Sequence, residues 1–260
     1  MFIEERHNRI MQLLSEQKRV EVSELSSLFD VSLDSIRRDL RILEKKGLLK
    51  RTHGGAISLE ESSEALSYSD RKTIYELEKE EIGQFASTFI EEGDTILIKG
   101  SSTSAAMIPH LCQFKDLTIF TNSIDIAYQL NSCKGNLNTF MIGGMIDHKS
   151  SNTYSTETLS FIQTLHVDKA FLSPCSISME AGICTEFILE AHIDKAIIKS
   201  SKETYILADH SKFLKESLMQ IAPLSSDYAI ISDSKLSDEV ISRFESYTNS
   251  DIEILRVKKK

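Results

Sequence analysis

A chain of 260 residues with 41% hydrophobic and 27% charged composition is long enough for two domains and apolar enough for a packed core. No stretch reaches the roughly 18 apolar residues of a membrane helix. The start, MFIEERHNRIMQLL, has neither the apolar run nor the small-residue cleavage site of a secretory signal, so a cytoplasmic protein with no membrane association is expected. The net charge of −9 is unevenly shared, with 11 Lys+Arg against 9 Asp+Glu in residues 1–58 and 19 against 30 in the remainder. A weakly basic head on an acidic body points to a nucleic-acid contact at one end. Cys112, Cys133, Cys175 and Cys184 form no CxxC pair, and the histidines form no HExxH pattern. Four reduced thiols are expected, with no metal and no cofactor.

Within residues 4–17, Ile10, Leu13 and Leu14 mark one face of an amphipathic helix. The segment Val20-Glu21-Val22 is short and β-like. Ser23 stands where an N-cap belongs, opening a second helix with Leu25 and Leu28 inward and an end near Asp30. Ser32 caps a third helix with Asp34 in its first turn, Ile36, Leu40 and Leu43 as its buried stripe and Gly47 as its terminator. Arg37, Arg41 and Lys45 form a separate outer ridge with Arg38 beside it. Residues 48–52 read as a strand, His53-Gly54-Gly55 as a turn and residues 56–58 as the returning strand, a small wing carrying Lys50, Arg51 and His53. Two short helices, a tight turn and a third helix with one apolar and one cationic face follow the logic of a helix-turn-helix. Guanidinium groups on such a helix can pair with guanine edges or clamp phosphates in the major groove of double-stranded DNA.

The run VEVSELSSLFDVSLDSIRRDLRILEKKGLLKRTHGGA, with SIRRDL, LEKKGLL and RTHGGA in order and spacing, resembles the winged helix-turn-helix of DeoR/GlpR-type bacterial transcriptional regulators. The resemblance implies operator contacts from Ser35, Arg37, Arg38 and Arg41, with phosphate contacts from Lys50, Arg51 and His53 in the wing.

Three parts are expected: a DNA-binding domain over residues 1–58, a linker over 59–70 and an α/β effector domain over 71–260. Residues 59–69, LEESSEALSYS, are acidic and serine-rich without periodicity. A helix is expected from 71 to 92. Beyond it, strands at 95–98, 117–121, 139–142, 169–172, 204–208, 228–232 and 252–257 alternate with helices near 103–113, 123–132, 156–165, 186–201 and 237–248. That alternation argues for a Rossmann-like α/β body with a largely parallel sheet. Ligands of such sheets bind beyond the carboxyl ends of the strands. The loops there, Lys99-Gly100-Ser101-Ser102-Thr103-Ser104, Thr121-Asn122-Ser123 and Gly143-Gly144, are rich in hydroxyls and backbone amides that suit an anion. Each loop alone reads better as a helix cap; three at consecutive strand ends favour a pocket.

LTIFTNS, the glycines at 143–144, VDKAFL, EAHIDKAII and LADHSKF extend the resemblance to the family's effector domain, related in fold to ribose-5-phosphate isomerase and CoA transferases. It implies a repressor of a carbohydrate operon that senses a phosphorylated sugar or related anion and assembles as a homodimer or homotetramer. The implied effector site gathers Lys99, Ser101, Ser102, Thr103, Asn122, Gly143 and Gly144, with Lys195, Asp209 and Lys212 nearby. The chain departs from the family in Lys99, where an acid is common, in Ser173 and Ser176, which replace glycines, and in Asp147, which replaces an arginine. A charged lysine can only donate, so Lys99 favours an anionic ligand if it points inward; turned outward on its flexible stem it does nothing for the site. A second reading is an isomerase- or transferase-type enzyme on sugar phosphates, with Glu190, Lys195, Asp209 or Lys212 as acid–base groups. Glu190 and Lys195 lie five apart on a helix and do not face each other, so a regulator without catalysis is the expectation.

Overall fold

In the computed structural model, which describes residues 3–45, 48–58, 67–135, 137–248 and 251–258, the first apolar stripe becomes helix α1 (Ile3–Gln17). It is followed by β1 (Arg19–Glu21), α2 (Val22–Phe29), α3 (Leu33–Lys45), β2 (Lys50–Arg51) and β3 (Gly55–Ile57). Ile10 and Leu14 of α1, Leu25 of α2 and Ile36, Leu40 and Leu43 of α3 share one core with Val20 of β1, Ala56 of β3 and Leu49, just before β2. The expected wing is present: β3 pairs antiparallel with both β2 and β1. Gly55 is required there, since a Cβ would lie 1.9 Å from the Val20 carbonyl oxygen.

Two local expectations are corrected. The second helix starts at Val22 with no side-chain cap, and Ser23 lies inside it; the Val22 amide donates instead to the Gly54 carbonyl at 2.8 Å, so the wing does the work of a cap. Leu28 is 60% exposed. Val22, Leu25 and Phe29 already span the inward arc, and Leu28 falls off its edge. Ser32 does cap α3, its Oγ accepting the Ser35 amide at 3.2 Å. Gly47, the expected terminator, and residues 59–66 of the expected linker lie outside the described residues.

Ser67 caps α4 (Tyr68–Thr73), and a new helix, α5 (Glu76–Ser87), follows Tyr75, whose φ of 53° is left-handed. One helix over 71–92 is therefore replaced by two. The chain divides at this point into compact units, Met1–Ile74 and Tyr75–Lys260. Arg19 of β1 reaches the buried Asp70 carboxylate at 3.5 Å, which accounts for α4 belonging to the first unit.

The second unit runs β4 (Thr95–Ile98), α6 (Ser102–Ala105), α7 (Ile108–Leu111), β5 (Leu117–Thr121), α8 (Ile124–Asn131) and β6 (Leu137–Met141). Next come β7 (Met145–Asp147), β8 (Asn152–Tyr154), α9 (Thr156–Gln163), β9 (Val167–Leu172), β10 (Ser176–Ser178), β11 (Gly182–Thr185), α10 (Ile188–Ser200) and β12 (Ser201–Leu207). The chain closes with β13 (Met219–Ala222), β14 (Ala229–Ser232), α11 (Asp238–Tyr247) and β15 (Glu253–Arg256). All seven expected strands form one parallel sheet, in the order β15-β14-β12-β9-β4-β5-β6. The expected helix at 103–113 is two short ones; Pro109, near the start of α7, has no amide to continue α6. The antiparallel pair β7–β8 and the small sheet β10-β11-β13 are additions that the sequence reading lacks. From β4 the strand order moves one way to β5 and β6 and the other way to β9, β12, β14 and β15. The gap between β4 and β9 is therefore a topological switch point, where crevices open at the carboxyl ends.

The expectation of four reduced thiols is also corrected. Cys112, just past α7, is disulfide-bonded to Cys133, just past α8, with Cα atoms 5.1 Å apart; Cys175 and Cys184 are free. The bond closes a loop with a sequence separation of 21, and cross-linking a loop of that size stabilises by about 3 kcal/mol, chiefly by restricting the unfolded chain. Urea unfolding of the oxidised protein is expected to lose that amount on addition of dithiothreitol. The doubly substituted Cys112→Ser, Cys133→Ser chain is expected to show no response to the reductant.

Candidate functional site

Helix α3 is polar on both sides of its apolar stripe, and the two polar sides have different partners. On the inner side Asp39 is buried and accepts from Arg6 Nε at 2.5 Å and lies 3.1 Å from His7 Nε2, both on α1. A carboxylate can be buried so only if it is paired and hydrogen-bonded, and the pairing fixes how α3 is rotated about its own axis. On the outer side Arg37, Arg38 and Arg41 are exposed. Arg37 bridges to Asp34 at 2.9 Å, an exposed contact of little energetic weight. Arg38 and Arg41 have no protein partner among the described residues. Ser35 is half-buried, with its Oγ 3.0 Å from that of Ser32. In the wing, His53 is exposed and Lys50 half-buried. Arg51 is less free than its sequence suggests: its amide donates to Glu44 at 2.9 Å and its guanidinium lies 3.9 Å from the same carboxylate. Glu44 thus ties the wing to the end of α3.

The switch point of the larger unit brings together most of the expected effector residues. Lys99 follows β4, Asn122 follows β5, Gly143 and Gly144 follow β6, and Asp209 follows β12, all at the same edge of the sheet. The Gly100 amide donates to Asn122 Oδ1 at 3.1 Å, and Asn122 Nδ2 to the Thr153 carbonyl at 3.1 Å. A Cβ on Gly100 would lie 1.8 Å from Asn152 Oδ1 and 2.6 Å from Ser123 Cβ, so any side chain there forces Asn152 and Ser123 to move. Ser101 spends its hydroxyl as the cap of α6, accepting the Ser104 amide at 2.9 Å; Ser102 and Thr103 are buried behind it. Gly143 gives its carbonyl to Thr158 Oγ1 at 2.6 Å. Asp209 is buried and accepts from the amide and hydroxyl of Ser211. The next residue, His210, places Nδ1 3.0 Å from Asp233 at the end of β14. That hydrogen bond raises the His210 pKa against the effect of burial.

Lys99 turns inward, and this overturns its use as a cation for the ligand. It is 2% exposed and its ammonium donates to Glu190, with Asp194 Oδ2 at 3.4 Å. Both acids project from the inner face of α10, four residues apart. Burial disfavours the charge on Lys99, yet Asp194 and Glu190 outweigh it and hold its pKa well above the ordinary lysine value. Glu190 also accepts from Thr185 Oγ1 at 2.6 Å and from the Tyr154 hydroxyl at 3.3 Å. Asp194 is fully buried and neither of its oxygens accepts a hydrogen bond. Burial pushes its pKa up to about 7, Lys99 opposing and Glu190 adding to the rise. Cys175, next to this cluster, is raised to about 11, first by burial and then by Glu190, while Lys212 and Lys99 act to lower it. Lys212, whose amide donates to the Asp209 carbonyl at 3.0 Å, follows the same strand end.

Lys195 is not at the site. It is exposed on the outer face of α10, where it lines a different cavity with His166, His192 and Lys199. One residue after Asp194 it is turned by a helical step of about 100° out of the interior. Asp194, Asn152, Tyr154 and Thr185 are site residues that the sequence reading did not name. The spacing of Glu190 and Asp194, two acids on one face of a helix otherwise rich in Ala and Ile, was the available signal.

Residues 6–62 match the family model for the DeoR-like helix-turn-helix domain, and residues 75–234 that for the DeoR C terminal sensor domain. Among similar proteins, the HTH-type transcriptional repressor GlcR of Bacillus subtilis is 34% identical over 90% of this chain and 89% of its own length. The L-fucose operon activator of Haemophilus influenzae is 33% identical over 90% and 94%, and the glycerol-3-phosphate regulon repressor of the same species 31% identical over 85% and 85%. Among solved structures, ribose 5-phosphate isomerase A from Methanocaldococcus jannaschii overlaps 55% of this chain and 56% of its own, at 17% identity and a TM-score of 0.39. That likeness is too loose to argue from.

The Asp194 shift has a definite sign in solution. An acid whose pKa is higher folded than unfolded keeps its proton in the folded state while the unfolded chain loses it, so stability falls as pH rises across that interval. For Asp194 the interval runs from its ordinary value of 3.8 up to about 7. Asp194→Asn is expected to flatten the decline in unfolding free energy between pH 5 and 7 without loss of secondary structure. Urea titrations at successive pH values, with circular dichroism as readout, check this; a slope equal to that of the parent chain refutes it.

Proposed function

Because the chain belongs to the DeoR family of transcriptional regulators, we propose that it represses a carbohydrate-metabolism operon in the cytoplasm and that a small anionic metabolite, with phosphorylated sugars the leading class, controls its grip on DNA. It is a DNA-binding regulator and not an enzyme, as its relatives are regulators. The carbohydrate reading draws support from relatives named for an L-fucose operon and a glycerol-3-phosphate regulon. One of these is an activator; repression is our choice because GlcR and the glycerol-3-phosphate regulator are both named repressors.

The observation that carries the DNA reading is the two-sidedness of α3. Asp39 pins its inner face to α1, which leaves Arg38 and Arg41 outward, without a partner among the described residues. We assign base or phosphate contacts to Ser35, Arg37, Arg38 and Arg41 in the major groove, and backbone contacts to Lys50, Arg51 and His53 in the wing. Pairing of two chains as a dimer, or of dimers as a tetramer, would set two such helices on a palindromic operator.

For the effector, the charge on Lys99 is consumed by Glu190 and Asp194, so it cannot be the group that draws an anion. We assign that part to Lys212 and to the loops at Ser101–Thr103 and Gly143–Gly144, with Asn122 and Asp209 shaping the crevice. Thermal shifts against phosphorylated sugars and their unphosphorylated parents test the class. Stabilisation by the parents alone overturns it.

The triple substitution Arg37→Ala, Arg38→Ala, Arg41→Ala removes exposed side chains and is expected to leave the fold intact. Each lost base contact costs about 1–3 kcal/mol and relaxes specificity at one position, while each lost phosphate contact flattens the salt dependence. Operator affinity is expected to fall at least about tenfold in a gel-shift titration. An unchanged affinity and salt slope would refute the assignment.

A further inference from the structure

Lys195 raises a question once it leaves the effector site. His192, Lys195 and Lys199 stand at i, i+3 and i+7 on α10, one stripe along its outer face. Opposite them is His166, just beyond α9, and the four basic groups line one cavity of about 310 Å³. No aspartate or glutamate lines it, and its floor is apolar, built from Leu159 and Leu165 among others. Four other lysines of this acidic unit do sit on carboxylates: Lys99 on Glu190, Lys169 on Asp94, Lys202 on Asp168 and Lys235 on Glu78. Among the described residues, none of the four basic groups of this cavity has a hydrogen-bond or ion-pair partner.

Like charges gathered in a concave surface raise the local potential and draw counter-ions to it. Small-molecule sites begin at about 300 Å³, a size that suits a compact ligand. We propose that this cavity is a second ligand site, separate from the switch-point crevice, for a small phosphate-bearing metabolite with two or more negative charges. The two lysines and two histidines hold the phosphate oxygens, and the leucine floor takes the carbon part. Helix α10 is the wall between the two sites: its inner face carries Glu190 and Asp194 on Lys99, and its outer face carries the cationic stripe. An anion bound outside therefore touches the same rigid element that builds the inner site.

Inorganic pyrophosphate is the probe. In calorimetric titration of the full chain at low salt, binding is expected, and Lys195→Glu with Lys199→Glu is expected to remove one binding equivalent or weaken it at least tenfold. Lys115→Glu with Lys134→Glu, an equal charge change on exposed lysines away from the cavity, is expected to bind as the parent chain does. Should the first pair compromise folding, Lys195→Ala with Lys199→Ala is expected to weaken binding at least threefold. Equal binding by the cavity and control variants overturns the proposal, as does an absence of binding to the parent chain.

Discussion

A lysine ammonium almost wholly out of water must be neutralised where it stands. Lys99 is in that position, at the end of β4 and at the point where the sheet changes direction. The desolvation cost of a buried ion is several kcal/mol and is recovered only with good partners. Glu190 and Asp194 supply them from α10, some ninety residues later in the chain. The consequences spread outward. Glu190 is held in turn by Thr185 of β11 and by Tyr154 of β8, and the Tyr154 hydroxyl receives Asn152 Nδ2 at 3.1 Å. Asn152 also donates to the Gly100 carbonyl at 2.9 Å, which closes the circuit on the residue after Lys99. Removing one acid would leave the lysine partly uncompensated in a dry site, so β4, β8, β11 and α10 are bound to a single arrangement.

The head uses the same device on a smaller scale. Asp39 interrupts the run Arg37-Arg38-Asp39-Leu40-Arg41 and is the one acid of that run. Its carboxylate is spent on Arg6 and His7. Hydrophobic stripes tolerate some rotation of a helix, because apolar contact has no direction. A buried ion pair with fixed donors does not. The aim of the outer arginines is therefore set from the opposite side of the helix, and Glu44 extends the control to the wing through the Arg51 amide.

Much of this was legible in the chain. The seven strands of the parallel sheet could be read because a strand buried on both faces is a short apolar run between turn residues, as in TILI and AIIS. The strands that escaped, β7, β8, β10, β11 and β13, are three or four residues long and mix polar with apolar positions; their pairing is decided by partners distant in sequence. The break at Tyr75 escaped because the residues around it keep a helical apolar spacing. The arginine ridge of α3 was readable from its four-residue interval alone. The direction of Lys99 was not, since it depends on which face of α10 meets β4. Lys195 was misplaced for a related reason. Proximity in sequence to Glu190 and Asp194 says nothing of side, and a single helical step separates the interior from solvent.

These differences decide what can pass from the family to this chain. In the head, the arginines we assign to DNA lie on the same helix as Asp39, whose pairing with Arg6 and His7 of α1 orients that helix. In the sensor unit a charge has been placed at the heart of the switch point and cancelled internally. Burial holds the Asp194 pKa up to about 7, so the cluster around Lys99 gains a negative charge as Asp194 loses its proton near that pH. A ligand entering beside it meets no net positive charge from Lys99, only the dipoles and donors of the surrounding loops and whatever Lys212 adds. The effector site we propose at that edge would then rest on shape and hydrogen bonding as much as on charge. The DNA-binding motif is shared with the family, whereas the charge cluster at the switch point has to be read from this chain's own residues.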